Sequence, residues 1–410
     1  MRRFLQAALI GVLLSACGTS ASVTPTPAPT PAVGGNEAHP PASSPIDKKT
    51  ELAATGPLRA GQIEFAMIDV GQGDGLVLRT SAGVTIVVDT GTGSGGKAIA
   101  GYLAQQRIAS IDLLILTHPH ADHIGGVTHI LQSTKVSAAW VSGYAGQTRT
   151  QARVLEEFEQ RGVPTTAVRR GNQAILDGGV ELNVLAPQDP LLQNSRSDAN
   201  ANSVVLWIKH GEVDFLLTGD AEAETETRVL EALRGRPPPD FEVLKVAHHG
   251  SRYASSDTFL KRVKPQVALI SCGRNNRYKH PHPDTLGRLE HRGAQIFRTD
   301  LHGTIRLRSD GENILVILDK QTRQGKNSRF QAAQLGKNGA MTLHLASPRA
   351  DLGSGSQEFG IVPGSLFTRG AANLRLSTRR KGNGVNFSHG TVRAPENHEK
   401  GSALHLHRPL

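Results

Sequence analysis

The chain is nearly free of cysteine: Cys17 and Cys272 are the only two in 410 residues. That excludes a disulfide framework or a cysteine-built zinc cluster as what holds the fold. Aromatic side chains make up only 4%, which weakens any reading built on stacking of nucleic-acid bases. A mean hydropathy of −0.28 excludes a polytopic membrane protein. An even spread of charge is missing too. Residues 61–320 carry 28 Lys and Arg against 29 Asp and Glu, whereas residues 321–410 carry 13 against 4. Most of the net charge of +10 therefore belongs to the last stretch and says nothing of the central segment's ligand.

Composition divides the chain into four parts. Residues 1–17 read as a lipoprotein signal peptide: Arg2-Arg3, an apolar stretch from Phe4 to Leu14, then Leu14-Ser15-Ala16-Cys17. That box resembles the one in which a bacterial lipoprotein is cleaved and lipidated on its Cys, which predicts an extracytoplasmic protein anchored through Cys17. Cys272 is then expected to be a buried apolar residue. Residues 18–60, rich in Pro, Ala and Thr, read as a linker without a core. Residues 61–320 are strongly periodic and form the expected folded domain. Residues 321–410, where apolar residues come singly, read as a basic, disordered tail.

Within the periodic part, strands are expected at Ile63–Asp69, Gly75–Arg79, Val84–Val88, Ile111–Leu116, Val204–Lys209, Val213–Leu217, Phe241–Ala247 and Val267–Ile270. Helices are expected over Lys97–Gln106, over Glu222–Leu233, and around Phe259 and Leu286. Two halves of mixed strands and helices imply sheet packed on sheet with helices outside.

The densest chemistry is His118-Pro119-His120-Ala121-Asp122-His123, directly after an apolar strand. Imidazole and carboxylate are costly to bury unless paired or liganded, and together they suit zinc, manganese or iron. Alternation sends His118 and His120 to one side, leaving Asp122 and His123 for a second ion. Asp220 ends the strand Leu216-Leu217-Thr218-Gly219, where a carboxylate can bridge two ions or cap the next helix. His248-His249-Gly250-Ser251 ends another strand, and Asp89 can orient a ligand histidine.

The order Asp89, His118 to His123, Asp220, His248 resembles the metallo-β-lactamase superfamily, which implies a four-layer αββα sandwich with two divalent ions, zinc or manganese, at the sheet edge. More specifically, Asp69-Val70-Gly71-Gln72-Gly73-Asp74, Thr117 to Gly126, His248 to Ser251 and Asn276-Arg277-Tyr278-Lys279-His280-Pro281 resemble the hydrolase domain of ComEC-type competence proteins, over roughly residues 62–318. The metal ligands implied are His118, His120, Asp122, His123, Asp220 and His248. Many members have a further histidine before the bridging Asp; here His129 and His210 are poorly placed, and the matching stretch is Asn200-Ala201-Asn202-Ser203.

The chemistry implied is hydrolysis, in which divalent ions activate water and hold the electrophile. Asp122, His249 and His280 are the candidates for catalysis, with His249 facing either substrate or metal. Residues 245–308 carry 13 Lys and Arg against 4 Asp and Glu. Ser251, Arg252, Asn276 and Arg277 are accordingly the candidates for meeting phosphate oxygens, beside Arg274 and Lys279. With the resemblance added, a phosphodiesterase or nuclease acting on DNA or another phosphate polymer is the leading expectation. The alternatives are a phosphoester hydrolase of teichoic acid or phosphocholine, and a DNA-binding lipoprotein of low turnover.

Overall fold

The computed structural model of the chain describes residues 56–234, 241–319, 340–343 and 403–406. The signal segment with Cys17, most of the linker and most of the expected tail lie outside the described residues. Among those described, no helix is long and apolar enough to cross a membrane.

Among the described residues, nine strands make one sheet, in the order Ala340–Leu343, Ile314–Leu318, Ile305–Ser309, Ile63–Met67, Gly75–Thr80, Thr85–Thr90, Leu113–Leu116, Ala139–Val141, Thr165–Ala167. The antiparallel part comes first; the last three pairings are parallel. The second sheet has eight strands, in the order Gln295–Arg298, Val267–Ile270, Val243–Lys245, Val213–Leu217, Val205–His210, Val180–Ala186, Gln173–Leu176, Ala403–Leu406. Here too a parallel run meets an antiparallel one, at the hairpin turned by Gly211.

Alternation along the strands builds three apolar layers. Phe65, Leu113, Ile115 and Phe215 face the space between the sheets, with the Phe65 and Phe215 rings 5.5 Å apart. Ala66, Leu114 and Leu116 face the other way, onto helix residues such as Ile99, Leu103 and Ile130. Leu216 and Leu244 meet Val229, Phe259 and Leu289 on the far side. The result is the expected αββα sandwich. Cys272 is buried, and burial followed by its bond to Asp300 pushes its thiol up to about 12.

Three differences from the sequence reading have clear causes. The helix expected from Lys97 begins at Gly93, because Gly95 and Gly96 are buried on it; a Cβ at Gly96 would stand 2.4 Å from the Gly126 carbonyl oxygen. The strand expected over Phe241–Ala247 is only Val243–Lys245, and the chain then makes a tight turn over Ala247–Gly250. The third difference corrects the picture of an unstructured tail. Ala340–Leu343 pairs antiparallel with Ile314–Ile317, and Ala403–Leu406 pairs parallel with Gln173–Leu176, where Leu404 and Leu406 pack on the core.

Candidate metal centre

Both sheets deliver their functional residues at the carboxyl ends of strands, where parallel strands leave loops free to converge. Leu113–Leu116 runs into His118, Val213–Leu217 into Asp220, and Val243–Lys245 into His248 and His249. The turn at Gly71-Gln72-Gly73-Asp74 lies on the first of these loops. Asp74 N donates to the Asp122 carbonyl oxygen at 3.2 Å, and a Cβ at Gly73 would stand 2.1 Å from that oxygen. Asp89, His248 and His249 all adopt left-handed backbone, φ 57°, 49° and 54°. Non-glycine residues hold such conformations when the surroundings fix them, typically at functional sites.

Asp220 is the centre of the cluster. Its Oδ1 is 3.3 Å from His123 Nε2. Its Oδ2 is 3.8 Å from His118 Nε2, 3.7 Å from His248 Nε2 and 3.6 Å from His249 Nε2. His249 Nε2 is also 3.5 Å from Asp122. His120 joins through its Nδ1, 3.0 Å from His118 Nε2.

The outward nitrogens are fixed. His123 Nδ1 donates to Asp89 Oδ2 at 2.7 Å, and Thr117 holds the same carboxylate through its amide (2.8 Å) and hydroxyl (2.6 Å). His248 Nδ1 donates to Glu222 at 2.9 Å, and His249 Nδ1 to the Ser271 carbonyl oxygen at 3.0 Å. Each Nε2 is thereby aimed inward, the arrangement that metal-ligating histidines use.

Those inward atoms fit a cation. His123 Nε2, His249 Nε2 and Asp220 Oδ1 are buried without a hydrogen-bond partner. Three groups of potential ligands share His123, which stands with His118 and Asp220, with Asp122 and His249, and with Asp74 and Asp89; Asp74, Asp220 and His249 make a fourth. A native fold leaves so many buried polar atoms unpaired in one place only where another species completes them.

Electrostatics agree. Burial opposes charge throughout, yet Asp220 and Asp89 hold His123 well above the usual imidazole range, and His123 and His249 hold Asp220 well below the usual carboxylate range. His249 is raised to about 9 against its burial by Asp220 and Asp74. Burial, with His123 beside it, keeps His118 neutral. The carboxylates thus recruit protons that a bound ion would replace.

The other sequence candidates divide. Burial and the neighbouring His248 and His249 push His280 down to about 4, so at neutral pH it can donate a hydrogen bond but lacks the extra proton of an acid. Asn276 is committed to its own loop: its amide donates to the carbonyls of Gly273 (2.9 Å) and His280 (2.6 Å) and accepts from His280 N (2.9 Å). Ser251 is buried, and its hydroxyl receives the Tyr253 amide at 3.3 Å. These two shape loops rather than face solvent, whereas Arg252 and Arg277 are exposed. His210 binds Ser309 Oγ and the Gly61 carbonyl, and takes no part in the cluster.

Three residues escaped the sequence reading. Asp74 is buried with His249 Nδ1 at 3.3 Å and an ion pair to Lys245. Lys245 is itself fully buried and donates to the Gly219 carbonyl oxygen at 2.8 Å. Glu222 links His248 to Arg196 and Asn200. Only Asp74 carried a signal, its place at the end of the glycine turn.

A cluster of imidazoles and carboxylates at the strand ends of an αββα sandwich defines a metal-dependent hydrolase. The chain belongs to the metallo-beta-lactamase superfamily, whose family model matches residues 68–274. ComE operon protein 3 of Bacillus subtilis is 32% identical over 270 residues, 62% of this chain and 34% of that protein. Competence protein ComA of Neisseria gonorrhoeae is 32% identical over 238 residues, 58% of this chain and 31% of that one. The chain thus spans about a third of the length of these curated relatives. Among solved structures, the diiron beta-hydroxylase CmlA from Streptomyces venezuelae aligns with TM-score 0.44 and 16% identity, over 62% of this chain and 55% of that one. The resemblance to competence proteins expected from the motifs is borne out.

Proposed function

We propose that the protein is a phosphodiesterase acting on DNA outside the cytoplasmic membrane, with two divalent ions, zinc or manganese. The observation that carries this reading is the set of exposed cations on two loops, Arg252 on the one after His249 and Arg274, Arg277 and Lys279 on the one that follows the strand Val267–Ile270 and carries His280. Guanidinium groups suit phosphate oxygens, and a neutral substrate would give such a set no purpose. His118, His120, Asp122, His123, Asp220, His248 and His249 would hold the ions, which supply an activated water and polarise the phosphoryl group. Asp89 fixes the His123 ring, Glu222 fixes His248, and neutral His280 would donate to a phosphate oxygen. Asn200 in place of a further imidazole favours manganese over zinc at the first position.

The competence relatives support DNA as the polymer, and the Cys17 box supports a lipid anchor ahead of a spacer and a hydrolase domain over 61–320. The test is turnover of methyl p-nitrophenyl phosphate and of DNA by metal-stripped protein, reloaded with manganese or zinc. Metal-restored cleavage of both is expected; absence of any diester cleavage overturns the reading. Cys17→Ser is expected to release the protein from the membrane fraction.

A further inference from the structure

The segment from His248 to Ser256 leaves the metal centre, exposes Arg252 and turns back into the protein. Two helices hold its backbone. Ser255 is fully buried with left-handed backbone, φ 53°, which a non-glycine residue keeps when its surroundings fix it. Glu226, only 3% exposed on the helix Ala223–Ala232, supplies the fixing. Its carboxylate accepts the amides of Ser255 and Ser256, the second at 3.1 Å. One turn earlier, Glu222 holds His248. Two carboxylates a turn apart thus grip both ends of the segment.

The second helix, Pro283–His291, grips its middle. Arg288 donates to three carbonyl oxygens, those of Arg252 at 3.3 Å and of Ala254 and Ser255 at 2.9 Å. Thr285 Oγ1 donates to the Ser251 carbonyl oxygen at 2.8 Å. Burying a carboxylate costs desolvation, and here it is spent on the backbone of one loop. The Arg252 side chain itself is not committed in this way. It donates to Asp284 at 3.3 Å, and the two side chains are 53% and 51% open to solvent. So exposed a pair is weak, and a phosphate can displace the carboxylate.

We infer that Glu226 and Arg288 are positioning residues that act through Arg252, holding its loop so that the guanidinium meets a phosphate flanking the one cleaved. This rests on the phosphodiesterase reading above and adds how the polymer is held. Arg252 lies three residues beyond His249, so its backbone is at most about 10 Å from that histidine along the chain. A loop fixed before binding spares the ordering cost that a free loop meets when substrate arrives. Neither Glu226 nor Arg288 needs to touch the substrate for this.

The test uses the full chain, loaded with manganese, and two readouts. Tryptic nicking after Arg252, followed by mass spectrometry, reports whether the loop is held. Steady-state hydrolysis of linear DNA reports what the holding does. Glu226→Gln turns an NH2 toward amide donors, and Arg288→Met leaves three carbonyls without their donor. Each variant is expected to be nicked about tenfold faster than wild type, the scale of one buried backbone group left unpaired. The KM for DNA should rise about fivefold while kcat stays within about twofold. In an Arg252→Ala background neither substitution should raise KM further, since both act through that side chain. Wild-type nicking rates in both variants overturn the clamp. Faster nicking with an unchanged KM, or with a rise in KM that persists without Arg252, overturns the positioning role and leaves the two side chains a part in stability alone. Failure of the wild type to cleave any diester overturns the phosphodiesterase, and the nicking rates still decide whether the loop is clamped.

Discussion

Asp220 offers its two oxygens to different imidazoles, Oδ1 to His123 and Oδ2 to His118, His248 and His249. Asn keeps the shape but not the second anionic oxygen. Asp220→Asn is therefore expected to lower diester turnover about a hundredfold or more, with circular dichroism unchanged. His118→Ala should do the same, and the double variant should lose no more, since both act on one centre. A wild-type rate in folded Asp220→Asn would separate the cluster from the chemistry. Away from the centre, burial pushes Asp214 up to about 6, although its Oδ1 accepts from Trp207 Nε1 at 2.8 Å. The folded value lies above the unfolded one near 3.8, so folding favours the neutral acid and stability falls as pH rises between the two. Asp214→Asn stays neutral and retains the Trp207 bond. It should be about 1–2 kcal/mol more stable than wild type at pH 8 and no different near pH 3.5, by urea unfolding. At this scale the clustered imidazoles and carboxylates were legible in the sequence and the residues that support them were not. Three imidazoles in six residues are visible in any order of reading, whereas Lys245 hides as one letter in an apolar strand.

Elements were legible where their periodicity was strong and lost where backbone geometry decided. The strand Val267–Ile270 and the hairpin strand Val213–Leu217 were placed at their observed bounds, because buried strands of this length read as plain apolar runs. The turn over Ala247–Gly250 was not, since consecutive left-handed histidines leave no pattern in composition. The same turn brings His249, even less accessible than Asp220, to the inner side of the cluster. The glycine turn before Asp74 is a second case. Gly73 has φ 126°, and any side chain there meets the Asp122 carbonyl. Gly73→Ala should displace the loop that carries Asp122, with a lower melting temperature and at least about tenfold weaker binding of one of two ions. Calorimetric titration with manganese of the stripped variant checks this; two unchanged affinities would mean that the loop does not position a ligand.

At the scale of the whole molecule, the sequence placed the last structural boundary near Leu318, yet Ala340–Leu343 and Ala403–Leu406 each extend a sheet. Four-residue edge strands lie below what composition resolves in a segment so rich in glycine, serine and arginine. Ending the chain at Asp319 would bare the edges Ile314–Leu318 and Gln173–Leu176, and unpaired edges recruit other chains. The shortened protein should retain diester turnover, melt several degrees lower and aggregate sooner on concentration. An unchanged melting temperature would show that the two strands contribute nothing, and lost turnover would show that the site depends on them. Lys245 bears on the whole molecule differently. Its ammonium is fully buried, held by the Gly219 carbonyl and paired with Asp74, so it is a counter-charge that cannot diffuse away. Two-metal carboxylate sites face a problem of assembly order, because their anions repel one another until ions arrive. On the proposed metal-loaded reading, a resident lysine lets the chain reach its shape first and take up its ions afterwards.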